Sequence, residues 1–345
     1  MEIRNNSELL EEKWRKKIWI GLGLFIFSFF SVEFLGRYCF GYVPDISNSD
    51  FHIWSAQRQR VDEPNSRKKV VLIGASAIVR GFNDEVFKQE FPDYEYIQLG
   101  IVGSYPGATL SDILSIQDFN GIIICDINEF LPFWEDGQGD WVNFYHESWN
   151  FSEKINWAIR KHFILNFVTF SPVVNPVNQL YEFLRTGQMG LQSFESIKLD
   201  RTRLADFRRP ALKRLIEPRK RRFMQLAELG KGLTEQLDPL WIENAMHYEK
   251  EIEHLQNRGG KFVYLRLPLN HPEGDDASLY RFKKHRWDKF SAMSKATFVH
   301  TLEFPELARF KTVDTVHLDI SDTPAFTRAL LNILRNKNIL SDHNA

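Results

Sequence analysis

Cysteine is scarce in this sequence, and charge of neither sign is in excess. Two of the 345 residues are cysteines, Cys39 and Cys125, so the chain lacks the disulfide framework typical of small secreted scaffolds. The formal net charge of −1 gives no overall attraction to nucleic acid. Cysteines and histidines also lack the spacing of a zinc site. We therefore expect neither a nucleic-acid partner nor a bound metal.

A dinucleotide-binding fingerprint is missing as well. Gly100, Gly103 and Gly107 follow a strand-like segment, but their spacing lacks the opening Gly-x-Gly. No acidic residue ends the next strand at the required distance, and no internal repeat is visible. We therefore expect no nucleotide cofactor.

One long apolar run lies near the amino terminus. Residues 18–36 contain a single charged side chain, Glu33, and about 20 such residues in a helix cross a bilayer. Four basic residues precede the run and only Arg37 follows it closely. The positive-inside rule then predicts a cytoplasmic tail at 1–17, a single transmembrane anchor at 18–40 and a main domain outside an inner (plasma) membrane, periplasmic in a Gram-negative cell. A cleaved signal peptide and a buried core helix are the alternatives, but the run has no Ala-x-Ala-like site and no polar face.

The rest of the chain predicts one folded domain. Residues 41–68 are polar and rich in turn formers, which predicts a linker, and 336–345 form a short carboxyl-terminal tail. Between them, at 69–335, short apolar runs alternate with helical patterns. The runs lie at 70–73, 94–99, 121–126, 259–267 and 296–302. This alternation predicts an α/β fold with a doubly wound parallel sheet.

Residues 133–258 predict a mostly helical insertion between the sheet strands. It opens on a segment containing Trp134, Trp141 and Trp149, which could form a lid or a sugar-stacking wall, or could pack over the insertion. The stretch 198–231 is unusually basic. It could bind an anionic lipid or polymer, or it could be a solvated helix face.

Candidate site residues follow the predicted strands. Ser76 lies in a Gly-x-Ser turn where a nucleophile could sit, although such turns are common. Asn128 follows the third strand and could donate to an oxyanion or simply form a turn. Asp314 and His317 precede the last helix, and their spacing lets the carboxylate hold the imidazole while the other ring nitrogen faces a nucleophile. An ordinary surface loop is the alternative there.

These residues fall in the order of four sequence blocks, and the chain thereby resembles the SGNH (GDSL-like) hydrolase superfamily. The blocks are Ser76, Gly103, Asn128 and Asp314-x-x-His317. The resemblance covers about 69–335 and leaves 133–258 unmatched. It implies a three-layer, flavodoxin-like domain with about five parallel strands. It also implies Ser76 as nucleophile, His317 as base, Asp314 as its orienting partner, and an oxyanion hole from the Ser76 and Gly103 N–H groups and the Asn128 amide.

The sequence departs from the superfamily pattern in two blocks. Ala75 replaces the aspartate of Gly-Asp-Ser, and Asp126 and Glu129 flank Asn128 where the pattern has Gly and Asp. A membrane-tethered member with a large insertion resembles the proteins that pass acyl groups to cell-envelope polysaccharides, often beside a polytopic membrane-bound O-acyltransferase. The resemblance thus implies serine-dependent acyl transfer or ester hydrolysis through an acyl-serine intermediate. The alternatives are a catalytically inactive envelope protein that binds glycan or scaffolds a membrane complex, and an intracellular soluble enzyme.

Overall fold

A computed structural model describes residues 6–35, 50–64, 67–128, 135–167, 195–208, 216–222, 225, 234–269 and 277–341. The chain divides into two compact units. One unit is Met1–Ile46 with Ile155–Ser193, and the other is Ser47–Lys154 with Phe194–Ala345. All the site residues predicted from the sequence belong to the second unit.

A parallel sheet forms the centre of the second unit. In chain order the strands are β1 (Lys68–Ile73), β2 (Tyr94–Gln98), β3 (Ile122–Asp126), β4 (Glu195–Ile197), β5 (Arg203–Ala205), β6 (Lys261–Arg266) and β7 (Thr297–His300). Five of them form the parallel sheet in the order β2-β1-β3-β6-β7, while β4 and β5 pair as a separate antiparallel hairpin. This is the strand order of a flavodoxin-like doubly wound sheet. The predicted α/β class and the five parallel strands are confirmed.

Both faces of the central strands are buried, which explains their unbroken apolar sequences. In β1, Val70 and Leu72 belong to one core cluster, and Val71 and Ile73 belong to the other. Side chains alternate across a strand, so a strand covered on both faces needs apolar residues at every position. The strands β3 and β6 divide their side chains between the same two clusters.

Helices of the second unit cover the two faces of the sheet. In chain order, the described α-helices of both units are α1 (Asn6–Phe34), α2 (Asp50–Asp62), α3 (Ser76–Gly81), α4 (Asp84–Glu90), α5 (Gly107–Ser115), α6 (Gly139–Asn143), α7 (Phe151–Phe167), α8 (Thr234–Met246), α9 (Glu249–Asn257), α10 (Ala277–Phe282), α11 (Asp288–Met293), α12 (Pro305–Ala308) and α13 (Thr323–Asn336). Helices α3, α4 and α13 contribute to the first cluster, and α2, α5, α8 and α9 contribute to the second. The sheet is therefore the middle of three layers.

The segment 41–68, predicted as a linker, contains a packed helix. In α2 the side chains of Trp54 and Val61 are buried, and Arg58 pairs with Asp112 of α5 at 2.5 Å. Trp54, Arg58 and Val61 lie at i, i+4 and i+7, so they share one helix face. The apolar residues of this face are few, and the polar residues between them hide the helical period. In the described residues, packing against the sheet therefore already includes α2, before residue 69.

Helix α1 contains most of the amino-terminal apolar run. Among the described residues, no helix combines the length and the apolar character needed to cross a membrane. The predicted anchor at 18–40 extends into 36–40, which lie outside the described residues.

The turn between β1 and α3 requires glycine at position 74. Gly74 has φ of +150°, and a Cβ there would lie 2.9 Å from both Asp126 Cβ and Ile78 Cγ2. Asp126 belongs to the neighbouring strand β3, so the chain turns from β1 into α3 in direct contact with the sheet edge. The absence of a side chain at position 74 allows this close approach.

We expect Gly74→Ala to lower the free energy of unfolding by about 2 to 4 kcal/mol, because backbone strain and steric overlap add. Chemical denaturation would measure the loss. The matched control is Gly139→Ala, since a Cβ at Gly139 meets nothing within 4 Å. Equal effects of the two substitutions would contradict the packing argument.

Candidate active site

Ser76 is the first residue of α3, directly after the Gly74–Ala75 turn, and it is half-buried. The Gly74 carbonyl accepts hydrogen bonds from the Ile101 N–H at 2.9 Å and from Gln138 Nε2 at 3.3 Å. These two bonds tie the turn to the loop after β2 and to the start of the insertion. The serine is therefore held at the carboxyl edge of the sheet, where doubly wound folds place their sites.

The structure brings Ser76, His317 and Asp314 together in a chain of hydrogen bonds. Ser76 Oγ lies 2.8 Å from His317 Nε2, and His317 Nδ1 lies 2.8 Å from Asp314 Oδ2. An ionised carboxylate only accepts hydrogen bonds, so Nδ1 carries the ring proton and Nε2 is left as an acceptor. This arrangement allows His317 to take a proton from the Ser76 hydroxyl.

The loop that carries Asp314 and His317 turns sharply at Thr315. Thr315 is buried and has φ of +85°, a left-handed conformation that β-branched residues rarely adopt. The turn lets Asp314 Oδ1 accept the backbone N–H groups of Val316 at 3.3 Å and His317 at 3.0 Å. One strained residue thus allows a single carboxylate to hold both the backbone and the imidazole.

The pKa values of Asp314 and His317 are both lowered, but for different reasons. Burial alone would raise the pKa of Asp314, but hydrogen bonds from His317 and Arg219 outweigh it and hold that pKa well below its usual range. Burial, followed by the charge of Arg80, lowers the pKa of His317 despite the opposing influence of Asp314. Asp314 is therefore ionised and His317 is neutral at pH 7, as a serine–base pair requires.

Two arginines at the site were not predicted from the sequence. Arg80 Nη1 lies 2.7 Å from His317 Nε2, and Arg219 Nη1 donates to Asp314 Oδ2 at 3.0 Å. Arg80 follows Ser76 by four residues in α3, and this helical spacing was a signal that the two share a face. Arg219 belongs to the basic stretch 198–231, but nothing in the sequence indicated its partner.

The two predicted oxyanion residues lie beyond the ends of neighbouring strands. Gly103, in the loop after β2, is exposed and has φ of +77°, and a Cβ there would meet nothing within 4 Å. Asn128 follows β3, and its backbone carbonyl accepts from Trp241 Nε1 at 3.2 Å. Both residues are at the same sheet edge as Ser76. Their roles as oxyanion donors stay predictions.

The predicted insertion contributes a hairpin beside the site. The Ala205 carbonyl in β5 accepts from Ile320 N–H at 2.9 Å, and Asp319 Oδ2 accepts from Phe207 N–H at 2.8 Å. The Phe207 ring stacks on His317, with centroids 6.5 Å apart and an interplanar angle of 15°. Strands β4 and β5 thus add an antiparallel element to a segment that was predicted as mostly helical.

Several basic residues of 198–231 contact protein groups. Lys198 pairs with Asp84 and Glu85, each at 2.8 Å, and the buried Arg201 donates to the Gly100 carbonyl at 2.9 Å. Together with the Arg219–Asp314 pair, these contacts show that three of the described cations serve the packing of this unit. Arg208, Arg221 and Arg222 are exposed, and 209–215 and 226–231 lie outside the described residues.

The two described tryptophans at the start of the insertion, Trp141 and Trp149, pack against α2. Trp141 stacks on Phe51 at 4.1 Å between centroids, and Trp149 Nε1 donates to Gln59 Oε1 at 2.8 Å. Both contacts anchor the start of the insertion on helix α2. Trp134 and Glu129 lie outside the described residues.

In the part of the chain that the structure describes, no group of three or more His, Cys, Asp or Glu side chains could hold a metal ion.

No family model matches the sequence, and no curated protein matches it. Among solved structures, the crystal structure of TesA superposes with a TM-score of 0.37 and 11% sequence identity. The match covers 79% of this chain and 100% of TesA. A likeness at this TM-score carries no argument about family or function.

We expect Thr315→Gly to raise the free energy of unfolding by about 1 kcal/mol, because glycine adopts a positive φ without strain. Activity against an ester should be retained, since the backbone geometry that Asp314 and His317 need is preserved. Thermal and chemical unfolding of the purified chain would measure the gain.

The control is Thr312→Gly in the same loop, where the backbone φ is not positive. This change should lower stability by roughly 0.5 to 1 kcal/mol or more, since glycine adds flexibility to the unfolded chain and relieves no strain at this position. A loss of stability in both variants would show that Thr315 is unstrained.

Proposed function

We propose that this chain is an SGNH-type serine acyltransferase or esterase. The observation that carries the proposal is the continuous path from Ser76 Oγ through His317 to the buried carboxylate of Asp314. The order of these residues along the chain and their place at the carboxyl edge of a flavodoxin-like sheet support it. Gly103, Asn128 and the Ser76 N–H are the proposed oxyanion donors.

The reaction would proceed in two balanced steps. His317 Nε2 takes the Ser76 proton while Oγ bonds to the acyl carbon, and the carbonyl electron pair moves onto oxygen, where the oxyanion donors hold it. As the intermediate collapses, the leaving alcohol or thiol takes that proton, and acyl-Ser76 remains. In the second step His317 takes a proton from a sugar hydroxyl or water as that oxygen bonds to the acyl carbon. The bond to Ser76 Oγ then breaks, and Oγ takes the proton back from His317.

The acceptor that we propose is a hydroxyl of a cell-envelope polysaccharide, with O-acetyl or a related group as cargo. Hydrolysis results when water reaches the acyl-serine instead, so the exclusion of water determines the balance between transfer and hydrolysis. A polytopic membrane-bound O-acyltransferase is the proposed partner that supplies acyl groups. Both assignments follow from the superfamily resemblance of the sequence.

A second candidate is a catalytically inactive protein that binds glycan or scaffolds an acyltransferase complex. One observation favours it: Arg80 donates to the same nitrogen that must accept the Ser76 proton. The substitution of Ala75 for the aspartate of the superfamily pattern points in the same direction.

We also propose that the chain is attached to a membrane through its amino-terminal helix, with the α/β unit outside the cell. Large apolar side chains of α1 are exposed to solvent, including Trp19 at 68%, Phe25 at 68% and Phe27 at 72%. These three positions lie on different sides of a helix. Exposed apolar surface of this extent favours lipid over water.

The catalytic proposal predicts that Ser76 reacts with a fluorophosphonate and that Ser76→Ala abolishes both this labelling and the hydrolysis of 4-nitrophenyl acetate. We expect turnover to fall by about 10³-fold or more, because the nucleophile is lost while binding is kept. Intact-mass spectrometry and steady-state kinetics would measure the two effects.

Ser291→Ala is the control, since that hydroxyl only donates to a backbone carbonyl within α11. Circular dichroism would establish that both variants fold. A wild-type chain that neither labels nor turns over any ester, under all conditions tested, would favour the inactive alternative.

The membrane proposal predicts that the full chain sediments with membranes and stays there in alkaline carbonate. Replacing Leu24 and Phe27 together by arginine should release it, because charged residues in the apolar run oppose insertion. Replacing Glu11 and Glu12 by glutamine is the control and should leave sedimentation unchanged. Wild-type protein found in the carbonate supernatant would refute the attachment.

A further inference from the structure

Arg80 occupies an unusual place in the candidate site. It lies one helical turn beyond Ser76 on α3 and is 5% exposed. Its Nη1 lies 2.7 Å from His317 Nε2, and Ser76 Oγ lies 2.8 Å from the same nitrogen. The base therefore has two neighbours competing for one lone pair.

The two neighbours differ in what they allow. A guanidinium only donates hydrogen bonds and stays charged, so Nε2 must be the acceptor in the Arg80 contact. The Ser76 hydroxyl can also donate to Nε2 and can then give up its proton. Once Nε2 is protonated it becomes a donor, and an imidazolium and a guanidinium then face each other at contact distance. The resting contact thus opposes the proton transfer that catalysis requires.

The charges facing His317 come from three elements. Asp314 lies on its own loop, Arg219 belongs to the helical stretch 216–222, and Arg80 comes from α3, while the Phe207 ring covers one face. Among the described residues, two cations and one anion therefore act on the base.

Any reacting ester must bring its carbonyl carbon to Ser76 Oγ, and Arg80 Nη1 shares its acceptor with that oxygen. A negative group of the same substrate, a few bonds from the carbonyl, would therefore approach the guanidinium. Carboxylates and phosphates are the groups that guanidinium pairs with in two parallel hydrogen bonds. The arginine thus lies at the place where substrate charge would be recognised.

We propose that Arg80 recognises a carboxylate or phosphate group on the substrate, and that this contact draws the guanidinium away from His317 Nε2 and frees the base. The inference rests on the proposed function and deepens it by assigning an anionic substrate class. The Ser76 proton passes to Nε2 and then to the leaving group, and Arg80 neither gains nor loses a proton. Arg80 is thus the residue that couples substrate charge to the availability of the base.

The experiment compares three 4-nitrophenyl esters in the full-length chain: the neutral butyrate, the succinate hemiester with a free carboxylate, and the corresponding phosphonate. Wild-type kcat/KM should favour one or both charged esters by about tenfold or more, as expected for a charge-assisted hydrogen bond. The two charged esters distinguish carboxylate from phosphate recognition. A wild-type enzyme that turns over the neutral ester as well as both charged ones would overturn the proposal.

Arg80→Met removes the charge and keeps the length of the side chain. We expect the preference for charged esters to disappear, neutral-ester turnover to rise, and the acid limb of kcat/KM to move to higher pH, because removing a cation raises the pKa of His317. Arg328→Met, at an exposed position of α13, is the matched control and should change none of these. An unchanged preference and an unchanged pH profile in Arg80→Met would refute the assignment.

A measurement on the wild-type chain alone covers the case in which Arg80→Met fails to fold. Acetate or phosphate should accelerate fluorophosphonate labelling of Ser76 relative to chloride at equal ionic strength, since a small anion would draw Arg80 away from the base. Labelling at the same rate in all three salts would reject the competition between Arg80 and Ser76. Labelling in none of them would instead reject the proposed nucleophile, so the two failures are distinguishable.

Discussion

The buried carboxylate of Asp314 is the interaction on which the rest of the site depends. It accepts hydrogen bonds from two backbone N–H groups, from the His317 ring and from Arg219. A buried carboxylate is costly unless it is fully hydrogen-bonded, and here every bond serves a second purpose. The backbone bonds close the loop, the ring bond fixes the tautomer, and the resulting orientation aims Nε2 at Ser76. The strained conformation of Thr315 persists because these bonds determine the loop.

The insertion is a structural part of this site. Its hairpin is hydrogen-bonded to the segment that follows His317, through the Ala205–Ile320 and Phe207–Asp319 contacts. Arg219 of the insertion also neutralises Asp314. Arg201 positions the loop after β2 by donating a hydrogen bond to the Gly100 carbonyl. Within the basic stretch 198–231, Arg201 and Arg219 therefore position loops of the site, while Arg221 and Arg222 are exposed to solvent.

The sequence was enough to predict the parallel sheet and the meeting of Ser76, His317 and Asp314 at one site. Strands buried on both faces leave unbroken apolar runs, and the carboxyl ends of parallel strands meet at one edge, so residues after those runs are neighbours. Helix α2 was missed because polar residues interrupt its short apolar face. The contact of Arg80 with His317 was missed because it joins positions 237 residues apart in the chain. Helical spacing indicated which face Arg80 shares, but only the tertiary structure shows what it meets.

The position of Arg80, buried beside His317, bears on the chemistry of the candidate site. A methionine or leucine would fill a buried position on α3 without desolvating a charge, and replacing buried ions by apolar groups is often neutral or stabilising. A buried arginine therefore needs groups that accept its hydrogen bonds, and one of these at Arg80 is the base His317. Its contact with the base makes the resting site poorly suited to neutral esters, because proton transfer would place two cations together. A substrate that brings its own negative charge removes this obstacle as it binds, so the feature that favours an inactive protein is also a means of selecting the substrate.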